Sequence, residues 1–241
     1  MSKISVVIPT YNEAQNIKEL VNQINIALEG IDNEIIFVDD SRDNTPDVIK
    51  TVMAENHNVK MKHRELNTGL AIAVIEGFEM AEGDYIAVMD ADLQHPPKFL
   101  RSMYDCLETG VDICVPSRFI PGGSDGGLGP YRKLVSLVAR YIGKILLPSL
   151  RKISDPTGGL FMFRHEVTDN ADLRPIGWKI LVEVLAMGTY NTVTEIPYRF
   201  KARPAGESKL SFKVTIDYLK HLIGLIKRGK KQKNVKVCRF C

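Results

Sequence analysis

The chain has 241 residues, of which 44% are hydrophobic and 25% charged; that is enough to bury one substantial core and excludes a disordered or collagen-like polymer. Its net charge of +3 conceals an asymmetry, because residues 1–217 carry 24 Lys/Arg against 29 Asp/Glu, whereas residues 218–241 carry eight Lys/Arg and no acid. A basic end on an acidic body suits an anionic surface, lipid headgroups or nucleic acid, and no apolar run reaches the ~18 residues that a membrane span needs.

Extended and helical patterns alternate through the first half. ISVVIPTY (4–11) predicts a buried strand, after which Asn12 is placed to cap a helix running to Gly30. EIIFVDD predicts a second strand, TPDVIKTVMAEN a helix with Pro46 in its first turn, and VKMKHRE a third strand. Next come a helix over GLAIAVIEGFEMAEG, a strand over DYIAVMD, a helix opened by the prolines of PPKFLRSMYDCLETG, and a strand over DICVPSRF. Near-continuous apolar strands separated by helices imply a mostly parallel sheet covered on both faces. Ligands of such sheets bind beyond the carboxyl ends of the strands, where Asp39/Asp40 and Asp90/Asp92 both fall.

The second half begins with a Gly-rich loop (120–130), then a helix around 132–147, a strand GLFMFR, a helix GWKILVEVLAMG, a strand VTEIPYRF, a polar loop KARPAGESK and a last helix from Phe212. No linker separates the halves. The expected organisation is a single catalytic domain over 1–228, with a nucleotide-type half (1–119) and an acceptor-type half (120–228), followed by a basic tail over 229–241. Cys106, Cys114, Cys238 and Cys241 show no disulfide-framework spacing and no signal peptide precedes the first strand, which predicts a reducing cytoplasm. Cys238 and Cys241 form a lone C-x-x-C without the second pair of a zinc site.

The carboxylates carry the chemistry. Residues i and i+2 of an extended segment face one side, so Asp90 and Asp92 are placed to share a cation, with Gln94 adding an oxygen directly or through water. Hard oxygen ligands with open positions suit Mg²⁺ or Mn²⁺ on a diphosphate. A solvated turn at a strand end is the competing explanation of D-x-D. Tyr11 offers a stacking surface. Glu13 is either an acceptor for base or ribose donors or a first-turn acid complementing its helix dipole. Two amphipathic segments, around 134–146 and around 216–226, either pack on the core or, with the basic KRGKKQKNVK that follows the second, lie on an anionic membrane face.

Taken in order, VVIPTYNE (6–13), VDD (38–40), NTGLAIAVIEGF (67–78) and MDADLQHPP (89–97) resemble the family-2 inverting glycosyltransferases, which have the GT-A fold. SRF (117–119), YRKLVS (131–136), DPTGGLFMFR (155–164), IGWKILVEVL (176–185), EIPYRF (195–200) and GESKL (206–210) narrow the resemblance to the dolichyl-phosphate mannose synthases within them. The resemblance implies GDP-mannose as donor and a polyprenyl or dolichyl phosphate as acceptor. Pro9, Tyr11, Glu13, Val38, Asp40, Asp90, Ala91 and Asp92 would then hold the nucleotide sugar, Asp90, Asp92 and Gln94 the Mg²⁺ or Mn²⁺, and Arg118, Arg132 and Ser136 the acceptor phosphate. Arg203 and Lys209 would serve both donor and transfer. DDSRDNT departs from the family's usual D-D-x-S-x-D-x-T by being one residue shorter.

The residue types suit that reaction. A phosphate monoester is already ionised near neutrality and needs no general base; it needs cations to approach an anionic donor. Arg118, Arg132, Arg203 and Lys209 would supply the charge, with Asp92 and its metal relieving charge on the departing GDP. The expected setting is the cytoplasmic face of a membrane, peripherally attached, without nucleic acid and with room for a separate membrane-spanning partner. The text near VKVCRFC resembles the start of the membrane domain of longer relatives, so the chain is either a short form or a piece of one. Three alternatives compete: UDP-glucose as donor for a polyprenyl phosphoglucose; a sugar-1-phosphate nucleotidyltransferase, disfavoured because PTYNEAQN lacks a Gly-rich phosphate loop; and a basic membrane-surface adaptor, which leaves the carboxylates unexplained.

Overall fold

A computed structural model describes residues 2–65, 69–126, 130–200, 212–228 and 235–239, with the backbone alone at 130–134 and 212–215. Its centre is a sheet of eight strands: β1 (Ile4–Thr10), β2 (Asn33–Asp39), β3 (Val59–His63), β4 (Tyr85–Val88), β5 (Ile113–Ser117), β6 (Phe161–Arg164), β7 (Thr192–Pro197) and β8 (Lys236–Arg239). The order is β3-β2-β1-β4-β6-β5-β7-β8, and only β6 runs antiparallel to its neighbours.

Helices cover both faces, as continuous apolar strands demand. On one face α1 (Ala14–Ala27), α2 (Thr45–Glu55) and α4 (Phe99–Glu108) bury Ile17, Leu20, Ile49 and Leu100 against Ile4, Val6 and Ile8. On the other, α3 (Leu70–Met80), α6 (Ile180–Met187) and α7 (Phe212–Arg228) pack on Val7, Ile36, Val38 and Phe163. Gly77 lets α3 sit directly on β1: a Cβ there would lie 2.3 Å from Val7. The remaining helix, α5 (Pro130–Leu146), rests beside α7, where the Tyr218 hydroxyl donates to the Ala139 carbonyl at 3.0 Å.

Several local expectations shift. Asn12 is not the cap of α1: it adopts a left-handed backbone (φ 56°), and Glu13 takes the cap position. Asparagine favours both roles, and here the Asn12 side chain is used instead to accept the Arg42 N–H at 2.9 Å. The helix expected over GWKILVEVLAMG starts only at Ile180, because Gly177 (φ 78°) turns the chain and Lys179 precedes the first helical residue. The stretch expected as a basic tail ends in β8, paired parallel to β7 from Thr192–Lys236 to Glu195–Arg239. Finally, α7 carries two apolar stripes rather than one: Tyr218, Leu222 and Leu225 are buried, while Ile216, Leu219, Ile223 and Ile226 face outward.

Candidate active site

Strands β2, β1 and β4 end side by side. The chain leaves β1 toward β2 and returns on the opposite side of β1 as β4, a reversal that opens a crevice at the carboxyl ends. A cavity of about 370 Å³ occupies it, walled by Pro9, Thr10, Tyr11 and Glu13 after β1, Asp40 after β2, the start of α3, and Asp90–Asp92 after β4. The loop carrying Tyr11 and Glu13 is pinned to the next one: the Asn12 N–H donates to Ser41 Oγ at 2.8 Å and the Glu13 N–H to Thr45 Oγ1 at 3.0 Å. Tyr11 is 45% exposed, its ring accessible for stacking. One carboxylate oxygen of Glu13 accepts the Asn16 amide at 2.7 Å.

The second strand's residues divide. Asp39 is fully buried, held by Ser41 Oγ at 2.5 Å and His63 Nδ1 at 2.7 Å. Asp40 reaches the cavity wall, with both oxygens taken by Arg64, which also meets Glu76 at 3.3 Å and the Gly69 carbonyl at 3.2 Å. Arg64 thereby ties β2 to the start of α3. The Val38 side chain, expected among the nucleotide contacts, lies wholly in the core under α3; strand alternation aims it there.

The Asp90–Gln94 turn is held in one shape. Leu93 has a left-handed backbone (φ 58°), a strained conformation for a branched side chain that concentrates at functional sites. The Gln94 N–H donates to Asp92 Oδ1 at 3.0 Å, orienting that carboxylate. The Asp90 side chain is 41% exposed, with His95 Nε2 3.5 Å from its Oδ2. His95 in turn shares a 2.7 Å hydrogen bond with Tyr198 Oη, and Gly159 backs onto Asp90 and His95: a Cβ there would stand 3.0 Å from Asp90 Oδ2 and 3.1 Å from His95 Nε2. Among the described residues no three His, Cys, Asp or Glu gather into a metal cluster. Two carboxylates and an amide oxygen, in a turn kept open by a glycine, nonetheless fit a hard cation whose other positions are filled by phosphate or water.

Beyond Asp90 the space widens into a second cavity of about 500 Å³. Val135, Val138 and Ile142 of α5, Ile176, Trp178 and Leu219 make it largely apolar, and Arg118, Ser136, Asp155 and Lys179 join Asp90, Gln94 and His95 among its polar groups. The two cavities share Pro9, Leu70, Asp90 and Trp178. Arg118 follows β5 and donates through Nε and NH2 to both oxygens of Asp155, at 2.7 and 2.9 Å. Its guanidinium also lies over the rings of Phe119 and Phe200. Asp155 is itself positioned from behind, since buried Glu195 accepts the N–H groups of Ser154 and Asp155 at 2.7 and 3.2 Å.

Asp155, Lys179, Trp178 and the His95–Tyr198 pair are cavity residues to which the motifs gave no role, although DPTGG and IGWK contain three of them. Arg132 belongs to the first turn of α5, where the backbone alone is described. Arg203 and Lys209 lie outside the described residues, as does Cys241.

Residues 5–171 match the sequence pattern of Glycosyl transferase family 2. A dolichol-phosphate mannosyltransferase of Pyrococcus furiosus is 44% identical over 226 residues, covering 93% of this chain but 64% of the relative, so this chain spans just under two thirds of that protein. A dolichol-phosphate mannosyltransferase of Saccharomyces cerevisiae is 35% identical, covering 90% of this chain and 85% of the relative. Among solved structures, glucosyl-3-phosphoglycerate synthase from Mycobacterium tuberculosis with Mn²⁺, UDP-glucose and phosphoglyceric acid superposes with a TM-score of 0.66 over 95% of this chain and 81% of that one, at 18% identity. That likeness establishes the shared fold.

Proposed function

The chain belongs to glycosyl transferase family 2, and on that premise we propose that it transfers mannose from GDP-mannose to a polyprenyl or dolichyl phosphate, inverting the sugar carbon. The observation that carries this is the meeting of two unlike cavities at Asp90: a carboxylate-lined crevice at the strand ends and an apolar chamber with cations at its base. A nucleoside diphosphate sugar suits the first and a lipid with a phosphate head suits the second, which places the sugar carbon at their junction. The two dolichol-phosphate mannosyltransferases named above support mannose over glucose.

In this transfer an oxygen of the acceptor phosphate forms the new bond to the sugar carbon while the bond from that carbon to the GDP oxygen breaks, and no proton moves. Pro9, Tyr11, Glu13, Asp40 and Ala91 bind the nucleoside end, without Val38, which is wholly buried within the sheet. Asp90, Asp92 and Gln94 would hold Mg²⁺ or Mn²⁺, which when bound would supply positive charge to offset that of the leaving diphosphate. Arg118, Arg132 and Ser136 receive the acceptor phosphate, and Arg203 and Lys209 add charge where the two anions meet. Trp178 borders both cavities and so stands at the junction where the sugar carbon would lie.

Incubating the protein with a polyprenyl phosphate, Mn²⁺ and either GDP-mannose or UDP-glucose, followed by mass spectrometry of the lipids, tests this. A polyprenyl phosphohexose is expected from GDP-mannose. Product from UDP-glucose alone would transfer the assignment to a polyprenyl-phosphate glucosyltransferase, and no lipid-linked sugar from either donor would overturn it.

The chamber is reached from an apolar surface. Val138, Tyr141 and Ile145 of α5 and Leu219, Ile223 and Ile226 of α7 are exposed, side by side on packed helices, and the basic end of the chain follows α7. No helix among the described residues is long and apolar enough to cross a membrane. Together an outward apolar stripe and a cationic segment suit peripheral seating on an anionic bilayer, with the lipid acceptor drawn sideways into the chamber. Each lysine near such a surface contributes about 1 kcal/mol, so replacing Lys230, Lys231 and Lys233 with glutamine is expected to weaken vesicle binding roughly 100-fold at low salt. Activity on a detergent-dispersed short-chain acceptor should persist. Equal binding by parent and variant to phosphatidylserine vesicles, measured by co-sedimentation, would reject this role for the basic segment. Substitution is preferable to deletion here because β8 is part of the sheet.

A further inference from the structure

On the reading above, the apolar chamber must hold a phosphate, yet the arginine whose side chain is described there is already neutralised. Arg118 meets Asp155 through two parallel hydrogen bonds, and such a pair brings little net charge to a ligand. Lys179 differs. It lies between Trp178 and the first residue of α6, lines the chamber, and donates from Nζ to the Thr157 carbonyl at 3.2 Å. Among the described residues no carboxylate stands within ion-pair distance of it; Asp155 and Asp90 act on it only from farther away. An ammonium carries three N–H groups and the carbonyl takes one, which leaves donors for whatever enters the chamber.

Holding this cation is unfavourable without an anion. Burial, then the neighbouring charge of Arg118, pushes the Lys179 ammonium below its ordinary pKa. Arg118 and Lys179 line one largely apolar chamber whose carboxylates are Asp155, already engaged by Arg118, and Asp90 at the junction with the crevice, so the charge of Lys179 is completed by an incoming anion. Lys179 borders the chamber and not the carboxylate-lined crevice, so the anion it meets is the acceptor's and not the donor's.

We infer that Lys179 binds the monophosphate head of the acceptor, supplying the uncompensated positive charge that Arg118 does not. This rests on the chamber being the acceptor site. The competing explanation is structural: Lys179 merely ties the Asp155–Gly159 loop to the start of α6 through the Thr157 carbonyl.

Two substitutions separate these. Lys179→Gln keeps a neutral donor for the Thr157 carbonyl and removes the charge; Lys179→Arg keeps the charge. Steady-state kinetics with GDP-mannose and a short-chain isoprenyl monophosphate in detergent, with the thermal unfolding midpoint of each protein measured alongside, should show the acceptor KM of Lys179→Gln raised roughly 10- to 100-fold, the loss of one charge-assisted phosphate contact. The donor KM should move by less than about twofold, and Lys179→Arg should lie closer to the parent. An unchanged acceptor KM in Lys179→Gln overturns the inference. So does a fall in the unfolding midpoint accompanied by equal losses for donor and acceptor, the signature of loop support. The parent is the control: if it forms no lipid-linked sugar from this acceptor, the functional assignment itself has failed, whereas a productive parent with an unaffected Lys179→Gln variant refutes the role of Lys179 alone.

Discussion

Asp92→Ala is expected to reduce transfer by about 10³-fold or more while leaving the unfolding midpoint near that of the parent. The carboxylate belongs to a turn, not to the core, and its Oδ1 accepts the Gln94 N–H at 3.0 Å. Losing that bond costs about 1 kcal/mol in stability. Without the Asp92 carboxylate only Asp90 and Gln94 would remain to hold a divalent cation, and the positive charge that cation would supply to the leaving diphosphate would be weakened. Asp92→Asn sharpens the test because it keeps an oxygen for the Gln94 N–H and removes only the charge. Both variants should lose Mn²⁺-dependent GDP binding in calorimetry, and chelation of the parent should reproduce their rate. Parent-like turnover by Asp92→Ala with Mn²⁺ at equal stability would remove the metal from this site.

Much of that turn was legible in the sequence, for a physical reason. Apolar strands that end abruptly on carboxylates announce where a parallel sheet stops being core, and Asp40, Asp90 and Asp92 all stand at such ends. What local patterns do not disclose is which distant group a charge has been paired with. Asp40 reads as an open ligand until Arg64 is found across its two oxygens. Val38 shares the VDD motif with Asp40, yet alternation buries it. Lys179 reads as the polar first turn of an apolar helix, and only the fold brings it beside Arg118 in one cavity. β8 is only four residues long, with Lys236, Cys238 and Arg239 exposed and only Val237 packed inward, and pairing with β7 makes it a strand. In α7 the assumption of a single apolar face merged Leu222, which is buried, with Ile223, which is exposed.

The Arg118–Asp155 pair is the clearest case, and the other large effect is expected there. Thirty-seven positions separate the two residues, one following β5 and the other preceding β6. Asp155 is 1% exposed, and Arg118 is largely enclosed by Phe119 and Phe200. Removing one partner of such a pair leaves an uncompensated buried charge, so Asp155→Asn should destabilise the protein by roughly 3 kcal/mol in urea unfolding. Replacing both with apolar residues removes that penalty, so the double variant Arg118→Met, Asp155→Leu should recover most of the stability. Activity should not follow. If Arg118 faces the acceptor phosphate, the double variant stays at least about 10²-fold slower than the parent despite its restored fold, with the loss concentrated in the acceptor KM and kcat. The split between stability and rate distinguishes a pair that holds the wall from one that also meets substrate. A double variant that regained both would make Arg118 and Asp155 a structural clasp, leaving the acceptor phosphate to Arg132, Arg203, Lys209 and Lys179.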